Sequence, residues 1–410
     1  MYSRVCLYTW IAFVLTCTLV WFKSSSSSAT ATPPKAVFSL STPPPVTTNA
    51  PKTIIPEIIA TASPLRRPPW HQRLFTPTFI ARYDGVWFVV DCWHHRVLHH
   101  TDIDAPIEQW AALDPTSEGS LENSGKEEGR KKKNIQHQHM TIPHSIAWDG
   151  SHYAVETSNG GSKGLNHSIL IYIKNNAWSF TCVQEILVCD KNKARRPHRL
   201  IYDSLFTKAF YLYTTSPPHL SKFARHDDTT ISRVFCVPLP FMKGSYARSM
   251  YIHTDGFMYI VSGPRGIWKV DHKSTNHTVL PVQFYSVRPL GWKTMNDLFF
   301  SNGFWYGTST TPCGFKRFKS MDAMATSEDM TRLLGLCRKG SPTPYFMSVV
   351  DGRMYVPFIF GGFSGAVSFM VPNANSTLGG GLRGIVHHWK KGGWQELPED
   401  ANVRNVYEKW

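Results

Sequence analysis

One phrase recurs six times along this chain. In each copy an apolar segment runs into Asp-Gly, Asn-Gly or Asp-Ser and is followed by a short aromatic and β-branched run. The copies occupy positions 76–91, 142–158, 196–215, 248–263, 295–310 and 345–361. Their turns are separated by 65, 54, 52, 47 and 49 residues, counted between Gly85, Gly150, Ser204, Gly256, Gly303 and Gly352. A period near 50 with two-residue turns between strand-like runs is typical of propeller blades. The sequence therefore predicts an all-β fold, a six-bladed β-propeller over residues 70–410.

The N-terminus carries an uncharged apolar run at positions 5–22. Its length is near the lower limit for a membrane span. We therefore predict a transmembrane signal-anchor at 1–23, with the bulk of a single-pass type II protein on the luminal side. The alternative is a cleaved secretory signal and a secreted product. Residues 24–69 are dominated by Ser, Thr, Pro and Ala, which predicts a disordered stalk. Either alternative sends the chain into the secretory pathway, and the anchored form has the plan of Golgi or cell-surface proteins.

Three Asn-X-Ser/Thr triplets support exposure to a glycosylating compartment. They predict N-glycosylation at Asn166, Asn276 and Asn375.

Six cysteines lie outside the N-terminal apolar run. An even set in a secreted chain is compatible with disulfides, although it does not determine their pairing. We predict a Cys182–Cys189 bond that closes a hairpin and a Cys313–Cys337 bond within one blade. Cys92 and Cys236 are then unassigned, and buried thiols are the alternative for each pair.

The formal net charge of +15 raises the question of an anionic partner. The basic residues are scattered, and their one tight run is at 130–133, inside a polar, charge-dense insertion at 113–139. This distribution argues against nucleic acid and favours an acidic glycan, a sulfated polymer or an anionic surface.

The fragment DCWHHRVL at 91–98 resembles the strand–turn–strand phrase of NHL-type propellers. The sequence at 321–334 is the best helical candidate, predicted as an insertion in blade five. Two alternatives remain for how the ring closes. Either the tail at 384–397 supplies outer strands of blade six, or the segment at 70–75 packs there.

The first strand of each blade lines the central channel, so its early residues are predicted at one mouth. Alignment on the turns places nine polar and aromatic residues there: Thr78, Phe79, His144, His198, Arg248, Ser249, Asn296, Asp297 and Phe346. The dipeptide Pro-His occurs twice at this position, at 143–144 and 197–198. One interpretation is that these residues have a structural role only, because polar side chains in propeller channels often form hydrogen bonds only to water or to each other.

The phrase Pro-His-Ser-Ile resembles one in the peptidyl-amidoglycolate lyase module of peptide-amidating enzymes, a six-bladed NHL-type propeller. That resemblance implies that His144 and His198 bind zinc and that Arg248 assists the chemistry. The architecture also resembles calcium-dependent propellers of the gluconolactonase kind, which implies Asn296 and Asp297 as oxygen ligands for Ca²⁺.

Two hypotheses for function follow from this cluster. In the first, the propeller binds a glycan or peptide ligand at its channel mouth, with Arg248 and two imidazoles as a metal-free anion cup and with Ser249, Asn296, Asp297 and Phe346 as ligand-binding residues. The alternative is a metal-assisted hydrolase or lyase. Its catalytic residues are His144, His198 and Arg248, and its divalent metal, Zn²⁺ or Ca²⁺, is held by His144, His198 and Asp297.

Overall fold

Six antiparallel sheets follow one another along the chain in a computed structural model. The structure describes residues 74, 76–113, 140–158, 167–176, 179–190, 195–227, 230–243, 246–263, 266–273, 278–331, 334, 336–337, 343–359, 365–373, 385–388 and 394–396. The predicted anchor at 1–23, the stalk at 24–69, nearly all of the insertion at 113–139 and the three predicted glycosylation sites lie outside these residues. Within the described part of the chain, no helix is long and apolar enough to cross a bilayer.

Blades one to three are four-stranded meanders. Blade one comprises β1 Pro77–Tyr83, β2 Val86–Asp91, β3 Arg96–His100 and β4 Ala111–Ala112. Blade two comprises β5 Ile146–Trp148, β6 His152–Thr157, β7 Ser168–Asn176 and β8 Ser179–Leu187. Blade three comprises β9 Arg195–Asp203, β10 Ala209–Ser216, β11 Pro218–Arg225 and β12 Ile231–Pro238.

Blades four and five repeat this order, and blade six extends it. Blade four comprises β13 Ser249–Ile252, β14 Met258–Ser262, β15 Gly266–Asp271 and β16 Leu280–Tyr285. Blade five comprises β17 Asp297–Ser301, β18 Phe304–Thr310, β19 Cys313–Phe318 and β20 Glu328–Asp329. Blade six comprises β21 Thr343–Pro344, β22 Ser348–Val350, β23 Arg353–Ile359, β24 Gly365–Met370, β25 Ile385–His388 and β26 Trp394–Glu396. The predicted six-bladed propeller is confirmed.

The recurring turns have the geometry that their residues favour. Asp84 and Gly85 both adopt positive φ, at 48° and 75°, and Asp351 and Gly352 do the same at 50° and 74°. Two consecutive residues at positive φ define the tight turn that matches the twist of a hairpin, and Asp-Gly is well suited to it. In blades two and four only the glycine of the turn, Gly150 or Gly256, has positive φ. In blade three the Asp203 carboxylate accepts bonds from the backbone N–H groups of Leu205, Phe206 and Thr207 and so holds a longer turn.

The core consists of six hydrophobic clusters, one at each interface between neighbouring blades. Alternating residues of each strand face one neighbour or the other, so a sheet buries both of its faces. Large aromatic side chains fill the gaps, as Tyr211 and Tyr213 do between blades three and four. This arrangement explains the high aromatic content of the sequence.

The ring closes by packing between blades six and one. Trp87 meets Tyr355 edge-on, with ring centroids 5.2 Å apart, and Leu74 is buried in the same cluster. Arg82 forms an ion pair with Asp351 at 2.7 Å across this seam. The tail supplies β25 and β26 as outer strands of blade six, as the first alternative predicted.

Two sequence predictions about blade five and the cysteines are wrong. In its described residues, 321–331 and 334, the predicted helical segment is not an α-helix: a 3₁₀ helix covers Met321–Thr326, and β20 then pairs with β19. The other described helical segments are also single 3₁₀ turns, at Cys92–His94, Ile107–Gln109, Pro240–Met242 and Arg288–Leu290.

The predicted Cys313–Cys337 disulfide is confirmed, but Cys189 bonds to Cys236 and not to Cys182. Cys182 lies within β8 opposite Tyr172, and Cys189 follows the end of that strand. An extended strand advances about 3.3 Å per residue, so the two cannot meet. The bond to Cys236 instead connects the outer parts of blades two and three.

Candidate ligand site at the channel mouth

The innermost strand of each blade begins at the same end of the ring. In blade one, Pro77 at the start of β1 pairs with Asp91 at the end of β2. The turn after β2 therefore lies at this mouth, where Asp91 binds the Arg96 Nε at 2.8 Å and the His94 Nδ1 at 2.7 Å. These are residues of the NHL-like phrase, and their ion pair anchors the turn.

The two Pro-His residues meet at the mouth. The rings of His144 in blade two and His198 in blade three are stacked, with centroids 4.4 Å apart. His198 Nδ1 lies 2.7 Å from the Arg248 carbonyl oxygen, which can only accept a hydrogen bond. Nδ1 therefore carries the proton, and Nε2 accepts a bond from the Tyr345 hydroxyl at 3.1 Å.

Both imidazoles are neutral near pH 7. Burial lowers the pKa of His144 to about 4, and the Arg248 guanidinium adds to this, although a backbone hydrogen bond to Ile142 opposes it. Burial also holds the pKa of His198 well below its ordinary value, with further lowering from His144 and Arg248. The positive charge at this point of the mouth is therefore carried by arginine.

Arg248 is half-buried, and its guanidinium lies over the ring of Tyr246, 4.9 Å from the centroid. Burial raises the pKa of Tyr345, and the nearby Arg248 opposes that shift. Arg248 forms no ion pair with any described residue. The same is true of Arg196 at the start of β9 and of Lys293 before β17, both of which are exposed. The mouth is thus a basic surface.

Asn296 is fully engaged in joining blades five and six. Its Oδ1 accepts a bond from the Thr310 hydroxyl at 2.6 Å, and its Nδ2 donates to the Pro344 carbonyl at 3.1 Å. Its backbone N–H donates to Thr308. The residue predicted as a ligand-binding or calcium-binding amide therefore fastens two blades together.

Asp297 and Ser249 also bond to each other and to the next blade. The Ser249 hydroxyl donates to Asp297 Oδ1, and the Met347 backbone N–H donates to Oδ2 at 2.5 Å. Burial raises the pKa of Asp297, and Arg199 is the strongest of the groups that oppose this shift. Asp297 thus joins blades four, five and six at the inner wall of the channel.

Arg199 is a channel residue that the sequence analysis missed. Its guanidinium carbon lies over two aromatic rings, 4.3 Å from the centroid of Phe79 and 4.5 Å from that of Phe346. Strand alternation predicts that His198 and Arg199 point to opposite faces. A β-bulge overrides it, because Pro197 pairs with Thr214 and Arg199 with Tyr213, which leaves His198 as the extra residue. The one signal for it in the sequence is its position directly after Pro-His.

Glu156 and Ser145 form a second missed group, behind His144. Glu156 Oε1 accepts bonds from the backbone N–H groups of His144 and Ser145 at 2.8 and 2.7 Å, and the Ser145 hydroxyl contacts both carboxylate oxygens. Ser145 Oγ also accepts the Leu200 N–H at 2.8 Å. Burial raises the pKa of Glu156 to about 7, although these hydrogen bonds act to lower it. The carboxylate positions the His144 segment and its contact with blade three.

Two of the predicted metal ligands, His198 and Asp297, are engaged in hydrogen bonds within the protein. The Nε2 lone pair of His198 is taken by the Tyr345 hydroxyl, and both oxygens of Asp297 are bonded to Ser249 and Met347. Among the residues that the structure describes, no three His, Cys, Asp or Glu side chains are grouped as ligands. The arrangement can instead bind an anion through arginine, with neutral imidazole and phenol groups around it.

A separate groove of about 600 Å³ lies on blade five. Trp292, Lys316 and the Cys313–Cys337 bond line it, and none of the mouth residues named above does.

The similarity of this chain to known proteins is one of fold. No protein-family model matches it, and no curated protein matches it either. A candidate 6-phosphogluconolactonase from Bacteroides uniformis has a TM-score of 0.48 and 9% identity, over 78% of this chain and 88% of that chain. Virginiamycin B lyase from Staphylococcus aureus, in a catalytically inactive form with quinupristin, has a TM-score of 0.44 and 10% identity, over 81% of this chain and 86% of that chain. The periplasmic gluconolactonase of Pseudomonas aeruginosa has a TM-score of 0.42 and 12% identity, over 74% of this chain and 90% of that chain. Similarities of this size carry no argument about activity. The chain is a six-bladed β-propeller with structural neighbours among lactonase and streptogramin-lyase propellers.

Proposed function

We propose that this protein is a binding propeller that recognises an acidic glycan at the mouth of its central channel. The observation that carries the proposal is the Arg248 guanidinium, which lies over Tyr246 at the mouth and forms no ion pair with a described residue. An arginine held against an aromatic face presents a pre-oriented fork of donors to a carboxylate or sulfate. Exposed Arg196 and Lys293 add an attractive field around it.

Exposed aromatic rings at the same mouth favour a glycan over other acidic ligands. Trp93, in the turn after β2, is 57% exposed, and Tyr246 is 37% exposed. Flat rings with a polar edge offer an apolar face to the C–H groups of a sugar while their N–H or O–H stays wet. Metal-assisted hydrolysis or elimination is the weaker candidate, because the His198 and Asp297 atoms that it needs are already bonded.

The same proposal includes where the propeller is displayed. The apolar run at 5–22 and the Ser/Thr/Pro-rich segment at 24–69 are suited to a membrane anchor and a stalk. A propeller held in this way, in the Golgi or at the cell surface, would meet glycans that carry uronate or sulfate groups.

The test measures binding of the full-length protein in detergent to arrays of neutral, uronate-bearing and sulfated glycans, with acidic peptides on the same surface. We expect binding to the acidic glycans that falls as salt rises. Arg248→Met should abolish it, whereas Arg225→Met should not, since Arg225 ends β11 at the opposite end of the ring. Equal binding of neutral glycans, or full binding by Arg248→Met, would overturn the proposal. Binding confined to the peptides would change the ligand class.

A further inference from the structure

We infer a second, inner anion site in the channel, at the guanidinium of Arg199, that takes a small monocarboxylate such as acetate. The site is separate from the mouth site at Arg248. It lies one residue further along β9 than His198 and is walled by Phe79 of blade one and Phe346 of blade six.

The first argument is the state of the guanidinium. Arg199 is 5% exposed, and its Nε and Nη1 atoms are buried without a hydrogen-bond partner in the described part of the chain. Arginine keeps its charge at any physiological pH, so it cannot escape this cost by losing a proton. A buried cation with unsatisfied donors is stable only if something else satisfies them.

The second argument is the orientation set by the two rings. The guanidinium carbon lies over the rings of both Phe79 and Phe346, 4.3 and 4.5 Å from their centroids. Both rings stabilise the positive charge, but neither can accept the in-plane hydrogen bonds of the N–H groups. Only a ligand that approaches the edge can bond to them. The two open donors lie on different edges of the guanidinium, and a planar carboxylate that approaches either edge can accept a hydrogen bond from the open donor there, while the ring walls accommodate a short apolar tail.

The third argument concerns charge. Arg199 acts electrostatically on the Asp297 carboxylate, whose oxygens accept bonds from the Ser249 hydroxyl and the Met347 N–H. Arg199 Nε and Nη1 form no hydrogen bond to this carboxylate, and its charge would repel a dianion more strongly than a monoanion. This selects a monocarboxylate over sulfate or phosphate.

The test uses the full-length protein without any glycan, titrated with ¹³C-acetate at constant ionic strength set by chloride, with NMR line broadening and thermal shift as readouts. The titration is carried out in the Arg248→Met background, which removes the mouth site, and there we expect saturable binding of acetate and none of sulfate. Arg199→Met should abolish it, and Arg225→Met should leave it unchanged. If Arg199→Met does not fold, Arg199→Lys replaces it in the test, because lysine keeps the positive charge but lacks the planar guanidinium donors. We expect this variant to bind acetate about tenfold more weakly or worse.

The inference would be overturned if acetate caused no more line broadening or thermal shift than chloride in the protein that keeps Arg199. It would also be overturned if Arg199→Lys bound acetate as tightly as that protein. Sulfate bound as well as acetate would overturn the monocarboxylate assignment. None of these results bears on the glycan proposal, which is measured with a different ligand and a different arginine.

Discussion

The imidazole of His198 donates its Nδ1 proton to the carbonyl oxygen of Arg248 across 2.7 Å, and so connects the innermost strand of blade three to that of blade four. Its other nitrogen accepts from the Tyr345 hydroxyl, which adds blade six to the same network. One buried ring thus bonds to two other blades and stacks on His144 of a third. Most contacts in the ring join neighbouring blades, so such a residue couples blades that are further apart.

Replacing His198 by Ala should therefore destabilise the propeller. The change removes two hydrogen bonds, leaves the Tyr345 hydroxyl without its acceptor and opens a cavity beside Phe346. We expect the free energy of unfolding to fall by about 2–4 kcal/mol in urea titrations. His226→Ala, at an exposed position, is the matched control. A loss no larger than that of the control would show that the network contributes little.

Glu156 should make stability depend on pH. Burial raises its pKa to about 7 in the folded protein, above the ordinary value of 4.5. A raised folded pKa means that the unfolded state loses the proton first, so stability is fully present below pH 4.5 and is lost as pH rises to 7. Glu156→Gln, which resembles the protonated form, should therefore gain stability relative to the wild type by up to about 3 kcal/mol between pH 4.5 and 8. Other titrating groups, including His144, cancel in this difference.

The control for that series is Glu108→Gln, because Glu108 is exposed. Urea unfolding at several pH values measures both variants against the wild type. A constant difference between Glu156→Gln and the wild type across this range would contradict the predicted titration.

The disulfides make two predictions, the first of which needs no mutant. A peptide map without reduction should join Cys189 to Cys236 and Cys313 to Cys337, and Cys92, which is buried, should react with an alkylating agent only after unfolding. The Cys189→Ser/Cys236→Ser double variant should lose about 2–4 kcal/mol of stability, since this bond closes the longer loop. Detection of a Cys182–Cys189 peptide would refute the pairing.

Chelation should leave the protein unchanged. A metal would have to displace the Tyr345 hydroxyl from His198 Nε2 and compete with the Ser249 and Met347 donors at Asp297. Dialysis against EDTA, compared with dialysis against buffer alone, should alter neither the unfolding temperature nor the binding of acidic glycans. Loss of either property, restored by Zn²⁺ or Ca²⁺, would revive the metal-assisted hypothesis.

The sequence by itself determined the architecture, because a propeller blade is a local structure. Each blade is a meander of consecutive strands, so turns such as Asp84-Gly85 and Asp351-Gly352 mark it directly in the chain. The same periodicity brought His144 and His198 to one mouth in the prediction, and the structure stacks their rings.

Tertiary structure alone decided how the individual atoms at the channel are used. The bulge at His198 turns Arg199 into the channel. The side chains of Asn296 and Asp297 form hydrogen bonds to neighbouring blades, and Cys189 forms a disulfide with Cys236 across a blade boundary. Each of these depends on contacts between residues far apart in sequence. Periodicity reports which residues share a face of a strand, but hydrogen bonds, bulges and disulfides form with whatever the packed ring brings within reach.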